Sequence, residues 1–304
     1  MGRFLNIGII QMPVTTDIHE NLSFLEDAVE SIMLNPRKPD LVVGCESVAM
    51  DLGEPIPGPQ SNTWAGIAKK HGIYFIPGSM GEWAEELAPD GPYYNTAPVY
   101  GPGGELICKY RKMAPYRPLE DGVPGNEYCV FKIPERDTVI GLQICYDLNF
   151  PEVSRNLTLM GAEVLVKITL DPSELYAINK HLHYARAVEN QAYMVSVNAT
   201  GPFMSNLSYG NSMVVDPEGR LLWEAGENPT NAVITLDIDE VARTRQYGSM
   251  HMDHYLQHLR DYNFPMPYAG NIADAPVFKN IGMTSQSVTL YIEAREKLNS
   301  RECL

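Results

Sequence analysis

Cys145 has the setting most suited to chemistry in this chain. It stands in the run GLQICYDLNFPE, Gly141 to Glu152. The apolar stretch Val139 to Ile144 reads as a buried strand leading into it. Asp147, Asn149 and Pro151 break that strand, and Glu152 to Met160 has helix-like spacing. A thiol on a sharp turn between strand and helix suits a nucleophile, because free N–H groups at a helix start favour nearby negative charge. The plain alternative is a small buried hydrophobe, the common fate of cysteine. Two further segments bear on the choice. The strand Leu106 to Tyr110 ends near Lys112, and a Pro-rich loop then carries Glu120. The short apolar strand Leu41 to Cys45 ends at Glu46. Thiol, ammonium and carboxylate each lie at the end of a predicted buried strand, the edge where α/β sheets bind ligands. Singly, Glu46 reads equally well as a helix-start carboxylate, Lys112 as a solvated lysine, and Glu120 with Asp121 as a surface acidic pair.

In that order, Glu46, Lys112 and Cys145 resemble the catalytic set of the nitrilase, or carbon–nitrogen hydrolase, superfamily. The pattern is most similar to the aliphatic amidase and formamidase branch. That branch carries a Tyr-Arg-Lys loop and a second essential glutamate, which matches Glu120. The PYYNT run from Pro92 to Thr96 and the GAE run from Gly161 to Glu163 belong to the same resemblance. It covers roughly residues 4 to 240. One departure is Cys45, where the family usually has proline. A Tyr146-Asp147 pair after the cysteine resembles amidases more than true nitrilases, where a Trp-Glu pair usually follows.

An amidase needs a nucleophile, a proton shuttle and oxyanion stabilisation. Cys145 would attack the carbonyl carbon. Glu46, raised in pKa by burial, would take the thiol proton, pass it to departing ammonia, and then activate water on the thioester. Lys112, with the N–H of Tyr146, would hold the oxyanion and favour the thiolate. Glu120 would fix Lys112 or orient the substrate nitrogen. Tyr116 matches the aromatic position of the family's loop and, with Tyr146, is a candidate pocket wall. Thr169 and Leu170 follow a strand and are candidates for the pocket floor; at Leu170 the amidase branch often keeps a smaller residue. The expected substrate is a small carboxylic amide. The alternatives are an N-carbamoyl (ureido) compound, a larger amide, or a catalytically silent ligand-binding member. No cofactor is expected. His181 and His183 stand two apart on a helix and cannot chelate one ion, so no metal is expected either.

The elements that must position these groups alternate along the chain. Strands are predicted over Leu5–Gln11, Leu41–Cys45, Ile73–Gly78, Asn95–Tyr100, Leu106–Tyr110, Glu127–Lys132, Val139–Ile144, Val164–Ile168, Tyr193–Asn198, Ser212–Val215, Leu221–Glu224 and Ala232–Ile238. Helices are predicted over Asn21–Ile32, Trp64–His71, Glu152–Met160 and Pro172–Asn190, the last opened by Asp171 and Pro172. The order suggests two similar halves, each giving one sheet with helices on its outer side. The resemblance implies the fold: an α/β protein built as a four-layer α-β-β-α sandwich. It also implies pairing of subunits through the helical layers, hence a homo-oligomer. Residues 1–250 are expected to form one hydrolase domain. Residues 251–304, rich in Pro and aromatics such as Tyr255, Tyr262, Phe264 and Tyr268, are expected to wrap the body or a neighbouring subunit as an extended arm.

Bulk properties narrow the field. The 304 residues, 44% hydrophobic and 20% charged, suit one large globular unit. A formal charge of −15 argues against nucleic acid and anionic membranes as partners. No span of membrane-crossing length and no signal-peptide pattern is seen, so a cytoplasmic location is expected. The cysteines Cys45, Cys108, Cys129, Cys145 and Cys303 are odd in number and lack a Cys-x-x-Cys pair, which favours reduced thiols.

Overall fold

Val, Leu and Ile dominate the central strands because those strands are covered on both faces. The computed structural model describes residues 2–88, 91–203, 206–249, 252, 254–262, 264, 265, 271–280 and 287–299. The first half gives β1 (Phe4–Gln11), α1 (Ile18–Met33), β2 (Leu41–Val43), β3 (Ala49–Glu54), α2 (Pro59–His71), β4 (Tyr74–Ile76), β5 (Met80–Glu82), β6 (Tyr94–Tyr100) and β7 (Leu106–Arg111). The second half gives β8 (Cys129–Ile133), β9 (Thr138–Ile144), α3 (Pro151–Leu159), β10 (Val164–Thr169), α4 (Tyr176–Asn190), β11 (Tyr193–Asn198), β12 (Thr200–Phe203) and β13 (Asn206–Tyr209). There follow β14 (Met213–Val215), β15 (Leu221–Glu224), β16 (Thr230–Asp237), α5 (Ile238–Tyr247), α6 (Tyr255–Tyr262) and α7 (Val288–Asn299).

The strands form an eight-stranded sheet in the order β16-β1-β2-β4-β6-β5-β3, with β7 on β6, and a six-stranded sheet β15-β14-β11-β10-β9-β8. The two sheets pack face to face. Leu5, Ile7 and Ile9 of β1, spaced by two, share one core with Val164, Val166 and Ile168 of β10 and Val195 and Val197 of β11. The outer face of the second sheet, with Leu165 and Met194, packs on Val153, Leu157 and Ala187 of α3 and α4. Leu25, Val29 and Ile32 line the buried side of α1, which covers the first sheet with α2. The result is the α-β-β-α sandwich that the sequence resemblance implied.

The expectation of one sheet per half fails at the last strand, because β16 crosses to the first sheet and pairs antiparallel with β1 from Phe4↔Asp237 to Gln11↔Thr230. The closing strand thus latches the end of the second half onto the start of the first. The tail carries helices that its Pro and Gly content did not announce; α6 buries no residue, and Tyr255, Tyr262 and Phe264 are exposed. Tyr268 lies outside the described residues. Among the described residues no helix is long and apolar enough to cross a membrane.

Candidate active site

The ends of β9 and β10 in one sheet meet the end of β2 in the other, where the Leu170 N–H after β10 reaches Glu46 after β2, and this junction gathers the residues singled out above. The chain after β2 turns sharply, with Ser47 in the left-handed region at φ 65°. This turns Glu46 inward, where it is 2% exposed. Its Oε1 accepts from Asn95 Nδ2 at 2.8 Å and from Lys112 Nζ at 2.9 Å. Its Oε2 accepts from the Leu170 backbone N–H at 2.9 Å. Lys112 follows β7, anchored by its N–H to Asn95 O at 2.9 Å. Its ammonium is buried and also donates to Glu120 Oε1 at 2.7 Å. Glu120 Oε2 accepts from the Tyr116 N–H at 2.9 Å, which folds the intervening loop onto itself. Gly125 brings the end of that loop back against β7. A Cβ there would stand 2.2 Å from Arg111 O, so only glycine permits the approach.

Cys145 lies between β9 and a 3-10 turn, Cys145–Asn149, at φ 49°. A non-glycine residue in that region carries backbone strain, which the surroundings must hold in place. Asp147 does much of this. Fully buried, it accepts from Ile144 N–H at 3.0 Å, Tyr110 Oη at 2.7 Å and Ala114 N–H at 2.8 Å. These bonds tie the thiol's turn to the strand and loop that carry Lys112. Cys145 Sγ stands 3.4 Å from Asp171 Oδ1. Asp171 Oδ2 is held by Lys167 Nζ at 2.5 Å and by Tyr209 Oη at 3.0 Å. Lys167, Asp171 and Cys145 are all buried.

Electrostatics divide these groups. Burial pushes the Cys145 thiol well up; Glu46 adds to this, and Lys112 pulls the other way without prevailing. The resting sulfur is therefore a thiol, so the expected thiolate-favouring effect of Lys112 exists but is outweighed. Burial likewise raises Glu46, against the pull of Lys112. For Lys112 burial alone would lower the pKa, but the carboxylates of Glu46 and Glu120 outweigh it and keep the group cationic. Burial opposes ionisation of Asp171, yet Lys167's charge and hydrogen bond hold its carboxyl well below the usual range. Burial also lifts Asp147 to about 6.

Glu46, Lys112, Glu120 and Cys145 thus come together. Tyr116 and Tyr146 pack with ring centroids 4.8 Å apart and planes tilted by 55°, and Phe150 meets Tyr146 edge-on at 5.3 Å. Leu170 reaches Glu46 through its backbone N–H, and Thr169 is buried beside Asp171. His181 is exposed and His183 buried, on opposite sides of α4 as their spacing requires. Among the described residues no cluster of His, Cys, Asp or Glu is arranged to hold a metal. Asp171 does not open a helix: a 3-10 turn, Ser173–Leu175, follows it, α4 begins only at Tyr176, and the carboxylate turns inward. Sequence reasoning passed over Lys167 and gave Asp171, Asp147 and Asn95 no role in the site, reading Asp171 as a helix start, Asp147 as a strand breaker and Asn95 as part of the PYYNT run. A lone lysine inside the strand VLVKIT was the available signal, since lysine is almost never fully buried unpaired. Next to Tyr209 lies a cleft of about 480 Å³, with Ser173, Tyr176 and Ser208 in its wall.

The family model described as carbon-nitrogen hydrolase matches residues 6–246. Omega-amidase NIT2 of Mus musculus is 32% identical over 212 residues, covering 64% of this chain and 73% of that protein. Deaminated glutathione amidase of Dictyostelium discoideum is 33% identical over 199 residues, covering 59% of this chain and 66% of that protein. Nit3 of Saccharomyces cerevisiae, a member of branch 10 of the nitrilase superfamily, superimposes with a TM-score of 0.72 at 26% identity, covering 80% of this chain and 94% of its own. A mutant of the amidase from Nesterenkonia sp. AN1 gives a TM-score of 0.67 at 25% identity, covering 81% and 94%. That structure shows covalent addition of the acetamide moiety of fluoroacetamide at the active-site cysteine.

Proposed function

The chain belongs to the carbon–nitrogen hydrolase family as an amidase-type hydrolase, and from that premise we propose that it cleaves a small carboxylic amide to the acid and ammonia through a thioester on Cys145. The observation that carries this reading is the buried Lys112 ammonium, bonded to Glu46 at 2.9 Å and Glu120 at 2.7 Å beside the Cys145 thiol. Cys145 Sγ attacks the carbonyl carbon as Glu46 takes the thiol proton. A raised carboxylate suits this work, because it can accept a proton and return it near neutral pH. Lys112 Nζ and the Tyr146 N–H stabilise the oxyanion. Collapse expels the nitrogen as ammonia, carrying the proton from Glu46. Water, deprotonated by Glu46, then attacks the thioester and frees the acid. Glu120 holds Lys112 in place and braces the Tyr116 backbone.

The acyl group is proposed to be neutral and short. Lys112 and Lys167, the cations acting on the thiol, are each already paired with carboxylates, which leaves neither for an anionic acyl group. Tyr116 and Tyr146 offer an apolar wall. The omega-amidase relatives favour a second reading, a monoamide of a dicarboxylic acid. Ammonia release from propionamide, benzamide, an N-carbamoyl amine and succinamic acid separates these. Turnover of propionamide above the rest supports the first reading, and turnover of succinamic acid alone refutes it. Residues 251–304 are proposed to wrap the body or a second subunit of a homo-oligomer. Light scattering before and after limited proteolysis of that segment tests this, and an unchanged assembly size after its removal refutes the wrapping of a second subunit.

A further inference from the structure

The buried ion pair of Lys167 and Asp171 goes unused in the mechanism above, although one of its oxygens faces the reacting sulfur. Lys167 stands within β10, and Asp171 follows the strand's end, where its N–H is held by Asn198 Oδ1 at 2.9 Å. Two strong donors occupy Asp171 Oδ2, the Lys167 ammonium and the Tyr209 hydroxyl. Oδ1 is turned to Cys145 Sγ at 3.4 Å. An ion pair needed only for packing has no reason to stand against the nucleophile, since burying two charges costs several kcal/mol by desolvation.

The arrangement fits the two ends of an amide. A primary amide presents an oxygen that accepts and a nitrogen that donates. The Cys145 thiol is flanked by a cation, Lys112, and by an anion, Asp171. An amide carbon about 3–3.5 Å from a nucleophile is in near-attack position. With its oxygen toward Lys112, its nitrogen falls on the Asp171 side of the sulfur. We propose that Asp171, fixed by Lys167 and Tyr209, is a further catalytic residue that accepts an N–H of the scissile amide and so selects amides over esters.

This rests on the amidase reading. In the attack step the S–C bond forms, the thiol proton passes to Glu46 and the carbonyl π pair moves to oxygen. In the collapse step the C–N bond breaks and the Glu46 proton leaves with the nitrogen. Asp171 gains and loses no proton; it holds the nitrogen's hydrogen throughout. Its depressed pKa suits this, just as the raised pKa of Glu46 suits proton transfer, so their environments divide the roles. An ester has no N–H to offer and sets oxygen lone pairs against the carboxylate.

The test compares kcat/KM for propionamide and p-nitrophenyl propionate, which share one acyl group. Asp171→Asn weakens the acceptor but leaves Lys167 charged, so the double variant Lys167→Met, Asp171→Leu removes both charges together. The amide-to-ester ratio is expected to fall about 100-fold in the double variant, the loss typical of a removed transition-state hydrogen bond. An equal fall for both substrates, or an unchanged ratio, overturns the proposal, because a packing role would not distinguish leaving groups. The wild type gives a reading free of folding concerns: N,N-dimethylpropionamide, which lacks an N–H, is expected to turn over at least about 100-fold more slowly than propionamide. Equal turnover of the two overturns the proposal. A wild-type protein that releases ammonia from no primary amide refutes the amidase reading itself, a result distinct from all of these.

Discussion

Lys112→Met removes the buried cation while keeping most of the side-chain length, and its consequences can be worked from the structure. Glu46 then keeps its Asn95 and Leu170 bonds but loses its counter-charge. Glu120, a third exposed, can turn to water and contributes little. Breaking one side of a buried pair costs about 3–5 kcal/mol when the remaining charge stays ionised. Glu46 escapes part of this by binding a proton, so its already raised pKa rises further. A carboxylate raised in the fold binds more protons folded than unfolded, so its stability contribution is complete at low pH and is lost as pH rises through the folded value. The variant should therefore approach wild-type stability near about pH 4.5 and lose about 3 kcal/mol by about pH 8. Urea midpoints across that range, with unchanged slopes, measure the difference. Ammonia release at neutral pH should drop about 100- to 1000-fold, the loss of an oxyanion partner. Equal stability of variant and wild type at both ends of the range, with turnover within a few-fold, would refute the assignment of Lys112 to a buried charge cluster.

Other outcomes follow from single contacts. His183 is kept neutral down to about 3 by burial first and the Lys167 charge second, from an ordinary value of 6.5. The unfolded chain takes up that proton sooner, so acidification from about pH 7 to about pH 4 should cost the wild type about 3 kcal/mol more than His183→Gln, read as paired denaturant midpoints. Asp147→Ala leaves Tyr110 Oη and the N–H groups of Ile144 and Ala114 without their acceptor; a stability loss of about 3–5 kcal/mol and a sharp fall in kcat are expected from unfolding and ammonia assays. Gly125→Ala drives a Cβ into Arg111 O and should displace the loop that carries Glu120, lowering kcat while Cys145 still reacts with a small alkylating agent.

The site was legible in the sequence to the extent that local pattern decides it. The buried run into Cys145 and the proline at the start of α3 placed the thiol on its turn, and the short strands before Glu46 and Lys112 placed both at one sheet edge. Where a side chain's partner lies far along the chain, pattern gave the wrong answer. Asp171 before Pro172 has the look of a helix start, and the distant Tyr209 and Asn198, together with Lys167, hold it inward instead. The pairing of β16 with β1 joins the end of the second half to the start of the first, and nothing within either strand announces the other. The β3 and β5 strands and the β12–β13 hairpin are short, mixed in polarity and held by their neighbours, so periodicity could not find them.

The account turns on a covalent acyl group at one sulfur. Wild-type protein mixed with propionamide, quenched in acid within one turnover and digested, should yield the peptide containing Cys145 bearing a propionyl group. Cys145→Ala should show neither that adduct nor ammonia. Ammonia released by Cys145→Ala at the wild-type rate, or an acyl group found on a different residue, would contradict it.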